Sequence, residues 1–157
     1  MNMYDNNIAL LLTTIGFTAK NERPVNVPLI GMSKATYTSI SIGMNFRWKD
    51  MLLMGGEVIV TSTKECRSFY RWLGKHVSER MFCAKAVLHT PDLCNGAKGA
   101  PLIVDRVLIG ILSYSEECST DHFPATFTKI ELFVRWMIKI MKAHETPPLD
   151  SKEVDYD

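Results

Sequence analysis

At 157 residues the chain is long enough for one domain with a sizeable core, and its 46% apolar and 22% charged content is ordinary for a globular protein. A formal net charge of +1 leaves neither the basic excess of a nucleic-acid binder nor the acidic excess of a solvating chain. No apolar run reaches membrane-spanning length, so neither nucleic acid nor a membrane is expected as a partner.

Met1 to Asn7 has no basic start and no small-residue cleavage site, so no secretory leader is read there. Ile8 to Thr14, Thr38 to Gly43, Glu57 to Ser62, Pro101 to Val104, Val107 to Tyr114 and Ala125 to Ile130 read as short strands. They are rich in Ile, Val, Thr and aromatic residues and are bounded by Gly, Pro, Asn or charge. Thr38 to Ile42 and Glu57 to Val60 alternate, which predicts one buried and one wet face. Asp105-Arg106 predicts a tight hairpin turn. Two segments break the β pattern. Lys64 to Gly74 sets Cys66, Phe69, Tyr70 and Leu73 at helical spacing, with Gly74 as the stop. Ile130 to Met141 sets Ile130, Phe133, Val134, Met137 and Met141 on one stripe, which is read as core packing and not as a cofactor contact. After His144 come Glu145-Thr146-Pro147-Pro148 and an acidic end, so 145–157 is expected to be a disordered tail. The pattern is that of an all-β barrel or sandwich.

The four cysteines form no C-x-x-C pair and have no histidine at metal-ligand spacing, which argues against a zinc site. Buried free thiols and a two-disulfide framework both fit the count. No H-E-x-x-H motif, phosphate-cradling glycine loop or acidic calcium loop is present, so no metal or cofactor is expected.

Asp92-Leu93-Cys94-Asn95-Gly96-Ala97-Lys98-Gly99-Ala100-Pro101 resembles the nucleophile loop of trypsin-like serine proteases, D-S-C-x-G-D-S-G-G-P. Asn6 to Leu11 resembles the family's N-D-I-A-L-L, and Phe82-Cys83-Ala84 its F-C-A. Gly110 to Tyr114 resembles G-I-V-S-W, the strand beside bound substrate, and Pro124 to Ile130 resembles P-G-V-Y-T-K-V. Trp136 falls on the tryptophan of the terminal helix, and the resemblance runs from about Asn6 to Met141. It implies an all-β fold: the C-terminal six-stranded antiparallel barrel of a two-barrel protein, from about residue 29 to 144. The last strand of the first barrel, a short intermediate helix and a C-terminal helix complete the partial domain over 1–144. It also implies the pairings Cys66–Cys83 and Cys94–Cys118, one of three connectivities open to four cysteines, and hence secretion. A third family bridge would join the positions of Ser39 and Val104, where both cysteines are absent. Met1 falls in mid-motif, which favours an upstream first barrel and leader over a single-barrel product that needs a partner or a decaying duplicate.

The same resemblance implies loss of the reaction. Lys98 stands at the nucleophile position, and an ammonium group has no hydroxyl for a base to deprotonate. Asn7 stands at the triad acid and cannot carry the charge that stabilises an imidazolium. The family's histidine lies tens of residues before the acid, but only six residues precede Asn7. His76, His89, His122 and His144 come later and read as surface histidines. Ala97 replaces the aspartate of the activation switch, and Gly96 keeps the oxyanion-hole glycine. Asp92 sits where a basic-residue selector would be, with Ser115 and Ala125 in place of the pocket's two open glycines. Ser113 and Tyr114 keep an extended edge suited to strand addition by a peptide. The expectation is a catalytically inactive homologue that binds a protein or peptide, such as an active protease or its substrate. The alternative is a serine-type endopeptidase using Ser113 or Ser115.

Overall fold

The computed structural model describes residues 4–18, 20, 22–29, 38–45, 52–86, 98–115 and 124–144. Six strands close one barrel in the order β1-β2-β3-β6-β5-β4, every neighbour antiparallel. They are β1 (Thr38–Asn45), β2 (Leu52–Val60), β3 (Met81–Ala86), β4 (Pro101–Val104), β5 (Val107–Tyr114) and β6 (Ala125–Lys129). The barrel closes where Ile40 and Ser41 of β1 face Ile103 and Leu102 of β4. Closure removes exposed sheet edges, the main hazard of a small all-β protein.

β4, β5 and β6 match the sequence reading within a residue. β4 and β5 are joined by Asp105 and Arg106, with φ of 47° and 65°. Two consecutive left-handed residues match the right-handed twist of a two-residue hairpin, as the sequence predicts. β1 and β2 run longer than predicted, because ladder bonds between them continue through Gly43↔Met54 to Asn45↔Leu52. β3 has no alternating pattern and is absent from the predicted strands. It is set instead by its neighbours, pairing β2 on one side and β6 on the other.

Ile8 to Thr14 departs from expectation. Although predicted as a strand, it joins no ladder among the described residues. A strand exists only where its backbone groups find a partner strand, and none pairs with it among the described residues. Leu11 and Leu12 are 90% and 78% exposed.

Helix α1 (Thr63–Trp72) lies between β2 and β3. Ser62 caps its start by accepting the Glu65 N–H at 3.1 Å. At its end Lys75 N–H reaches Tyr70 O and Gly74 N–H reaches Arg71 O, with Gly74 at φ +69°. This pair of bonds is a Schellman motif, which glycine permits at no steric cost. Cys66 bonds Cys83 of β3, with Cα atoms 5.6 Å apart, so the first expected pairing is present. Cys94 and Cys118 lie outside the described residues, as do Asp92, Gly96, Ala97, His89, His122 and the tail 145–157. The C-terminal stripe begins as a 3₁₀ turn (Ile130–Leu132) and continues as α2 (Val134–Ala143). Ile130 and Val134 are buried as the stripe predicts, whereas Met141 is exposed.

Two apolar clusters hold the structure. Val58, Ala84, Ala100, Leu102, Leu112, Ala125 and Phe127 fill the barrel. Cys66, Tyr70, Val77, Met81 and Cys83 pack under α1, with Tyr4, Phe69, Leu73 and Tyr114 at the margin. Tyr70 is fully buried and its hydroxyl donates to Pro124 O at 2.6 Å, which satisfies the polar end of a large apolar side chain.

Candidate functional site

The C-terminal end of β5 is where the sequence-predicted site residues meet. Between Leu112↔Phe127 and Tyr114↔Thr126 the β5–β6 register shifts, so Ser113 is one residue too many for its partner strand. Such a bulge re-aims a side chain. Ser113 is only 1% exposed and its hydroxyl leaves the ladder to meet the N-terminal segment. Asn7 Nδ2 donates to Ser113 Oγ at 2.9 Å, and Ser113 Oγ lies 3.5 Å from Tyr4 O. Thr128 Oγ1 donates to Asn7 O at 2.9 Å, which fixes the backbone of the same residue on β6.

One residue earlier on β5, Leu112 exchanges backbone bonds with the chain that enters β4. Gly99 N–H donates to Leu112 O and Leu112 N–H to Ala100 O, both at 2.8 Å. Gly99 has φ +90° and forms a turn with Lys98, which is exposed. Asn7 and the Lys98–Gly99 turn are therefore held on adjacent residues of one strand. The β4 ladder ends at Pro101↔Ile111, so β5 overshoots it at Ser113 and Tyr114. On the other side Thr126 Oγ1 donates to Tyr114 O at 2.9 Å.

Tyr114 is half-buried among cationic and aromatic neighbours. The Tyr4 ring lies 4.4 Å from it centroid to centroid, tilted by 30°. Tyr70 meets it edge-on at 6.2 Å. Lys75 Nζ sits 4.0 Å from its ring centroid and also donates to its hydroxyl. Ser115 follows, half-buried, and Ala125 is buried in the barrel cluster.

The segment Tyr4 to Asn7 is thus bound to the barrel along its whole length. Asp5 supplies the remaining anchor: Ser78 Oγ donates to its Oδ1 at 2.7 Å, and Arg80 donates from Nε at 3.1 Å and from Nη2. These bonds from Arg80 hold the Asp5 carboxyl below the usual carboxylate range, against the opposing effect of burial, and Ser78 adds to them. Arg80 is correspondingly raised. Nothing local in the sequence marks Asp5, because its partners lie 73 and 75 residues away. His76 and His144 are exposed. Among the described residues no cluster of three metal-ligating side chains occurs.

A sequence-family model described as Trypsin matches residues 2–137. Hypodermin-B of Hypoderma lineatum is 30% identical over 99 residues, 63% of this chain and 38% of that protein. Trypsin of Xenopus laevis is 27% identical over 139 residues, 85% of this chain and 55% of that protein. Among solved structures, mouse-brain neuropsin, a serine protease, is 27% identical with a TM-score of 0.65, covering 76% of this chain and 54% of that one. A scabies mite inactivated protease paralogue is 25% identical with a TM-score of 0.63, covering 76% of this chain and 53% of that one. The chain spans between 38% and 55% of the length of these four proteins.

Proposed function

Since the chain belongs to the trypsin family, we propose that it is a catalytically inactive member of it, secreted, which acts by binding a protein or peptide at the end of β5. One observation carries the reading. Asn7 is hydrogen-bonded to Ser113, and the turn that carries the exposed Lys98 is bonded through Gly99 to Leu112, so the two positions that the family resemblance assigns to an aspartate and a serine hold an amide and an amine. Acyl transfer needs a hydroxyl or thiol nucleophile, a base, and a group that stabilises the charged base. Lys98 has no hydroxyl. Asn7 is a neutral amide that gives its N–H to Ser113. The likeness to a structure named as an inactivated protease paralogue is consistent with such a loss within this fold.

The competing reading, a serine-type endopeptidase using Ser113, meets a physical obstacle. That hydroxyl is buried, already accepts from Asn7, and has Tyr4 O as its nearest acceptor. A nucleophile must be reachable and must share its proton with a base. The Cys66–Cys83 bridge supports an oxidising, extracellular setting. β5 runs past β4 at Ser113 and Tyr114, and among the described residues no strand pairs with them on that side, so an extended peptide could add main-chain hydrogen bonds there. An active protease or its substrate is the class of partner this fits.

The test is incubation of the purified chain with chromogenic Arg and Lys peptides, beside Lys98→Ala as control, and with a fluorophosphonate probe. No turnover above the control and no probe on any hydroxyl residue are expected. Turnover, or mass-spectrometric location of the probe on Ser113 or Ser115, would establish the endopeptidase instead.

A further inference from the structure

We propose that the Asp5–Arg80 pair is a latch that holds the arm Tyr4–Asn7 down over the end of β5, and that opening it uncovers Tyr114 and Ser113. The arm carries two of the groups that cover this strand end: the Tyr4 ring, 4.4 Å from Tyr114, and the Asn7 amide on Ser113 Oγ. Neither contact is strong. An aromatic pair contributes about 0.5–1.5 kcal/mol beyond burial, and a neutral hydrogen bond about 1 kcal/mol. The Asp5 carboxylate lies between them in sequence and makes charge-assisted bonds. Two come from Arg80 and a third bond comes from Ser78. Bidentate guanidinium–carboxylate pairing fixes orientation as well as distance. Ser78 and Arg80 immediately precede β3, which is tied to α1 by the Cys66–Cys83 bridge, so the receiving half of the latch is rigid. The moving half is the arm, followed by a segment without ladder bonds among the described residues. Asp5 is therefore a positioning residue: it acts on Tyr114 and Ser113 only through Tyr4 and Asn7.

The functional consequence rests on the reading of β5 as the peptide-facing strand, because an arm lying over Tyr114 occupies the surface a peptide would use. The latch itself can be tested without any peptide. Full-length protein is nitrated with tetranitromethane at one fixed pH, and the rate at each tyrosine is followed by peptide mass spectrometry. Tyr70, buried and bonded to Pro124 O, reports the integrity of the fold. In Asp5→Asn, nitration of Tyr4 and Tyr114 should rise several-fold while Tyr70 stays slow. The charge-swapped protein Asp5→Arg/Arg80→Asp should return Tyr4 and Tyr114 towards the slow rates. Unchanged rates in Asp5→Asn would overturn the latch, as would a rise at Tyr70 in step with Tyr114 or failure of the swapped pair to restore protection. Protection that behaves as expected alongside protease turnover would retain the latch and remove the inactive reading.

Discussion

Gly110 sits at a crowded point of the barrel. A Cβ placed there would lie 2.7 Å from Phe82 Cζ and 3.2 Å from Phe127 Cβ. Those two rings stack at 5.6 Å across β3 and β6, so β5 must pass without a side chain at this point. Overpacking a filled core costs about 1–3 kcal/mol. Gly110→Ala should lower stability by that amount in urea unfolding. Gly16→Ala, where no atom lies within 4 Å, serves as the control and should stay near wild type. The site is legible in the sequence to a similarly uneven degree. Asn7 and Lys98 can be picked out because their motifs are contiguous. That Asn7 meets Ser113 depends on a bulge created by β6, 12 or more residues further on, and no local pattern encodes it. Tyr4, Asp5 and Lys75 were invisible for the same reason: each acquires its role from a residue distant in the chain. Asp92, Gly96 and Ala97 lie outside the described residues.

Among the elements, α1 shows how far local chemistry carries. Its stop is legible in Gly74, whereas its start is set by Ser62, which the strand pattern takes for the end of β2 and which the structure uses as the cap on the Glu65 N–H. Removing the cap by Ser62→Ala should cost about 1 kcal/mol. Gly74→Ala should also cost about 1 kcal/mol, because alanine is strained at φ +69°. Thermal melts of the two single variants and the double variant should be additive, since the two ends are a helix length apart. Loss of the bridge below the helix should cost more, about 3 kcal/mol for a loop of this size. Strands follow a different logic. β4 and β5 were legible because a hairpin contains its own partner, with Asp105-Arg106 between them. β3 has no signal in its own sequence and Ile8 to Thr14 has one without forming a ladder among the described residues, for one reason: a strand is decided by its neighbour, and a neighbour is not a property of the segment. β3 has two neighbours despite an unremarkable sequence. Ile8 to Thr14 has a strand-like sequence and, among the described residues, no neighbour at all.

At the scale of the whole molecule the arm converts one carboxylate into a pH response. Asp5 is held below its ordinary value by Arg80 first and by Ser78, with burial opposing. Its carboxylate form is bound more tightly in the folded chain than in the unfolded one. That stabilisation is complete above the unfolded value, near pH 4, and is lost as pH falls through the lowered folded value. The charged group that bears on it is Arg80, which stays cationic throughout. Glu79 is lowered in the same sense by Arg67, but it is exposed and solvent screens the pair. Below about pH 4 the wild-type chain should therefore lose stability more steeply than Asp5→Asn. The two melting curves should converge at the acid end, because the amide and the protonated acid are both neutral there. A difference that instead persists unchanged down to the lowest pH would mean that the carboxylate's charge is not what holds the arm. Tyrosine nitration cannot follow this transition, since the reagent needs phenolate, so the acid series is read by circular dichroism. Near-ultraviolet ellipticity from the Tyr4–Tyr114 pair should fade before the far-ultraviolet signal of the barrel. That order follows from the anchoring: a titrating pair is among the contacts that hold the arm, whereas six ladders of backbone hydrogen bonds close the barrel.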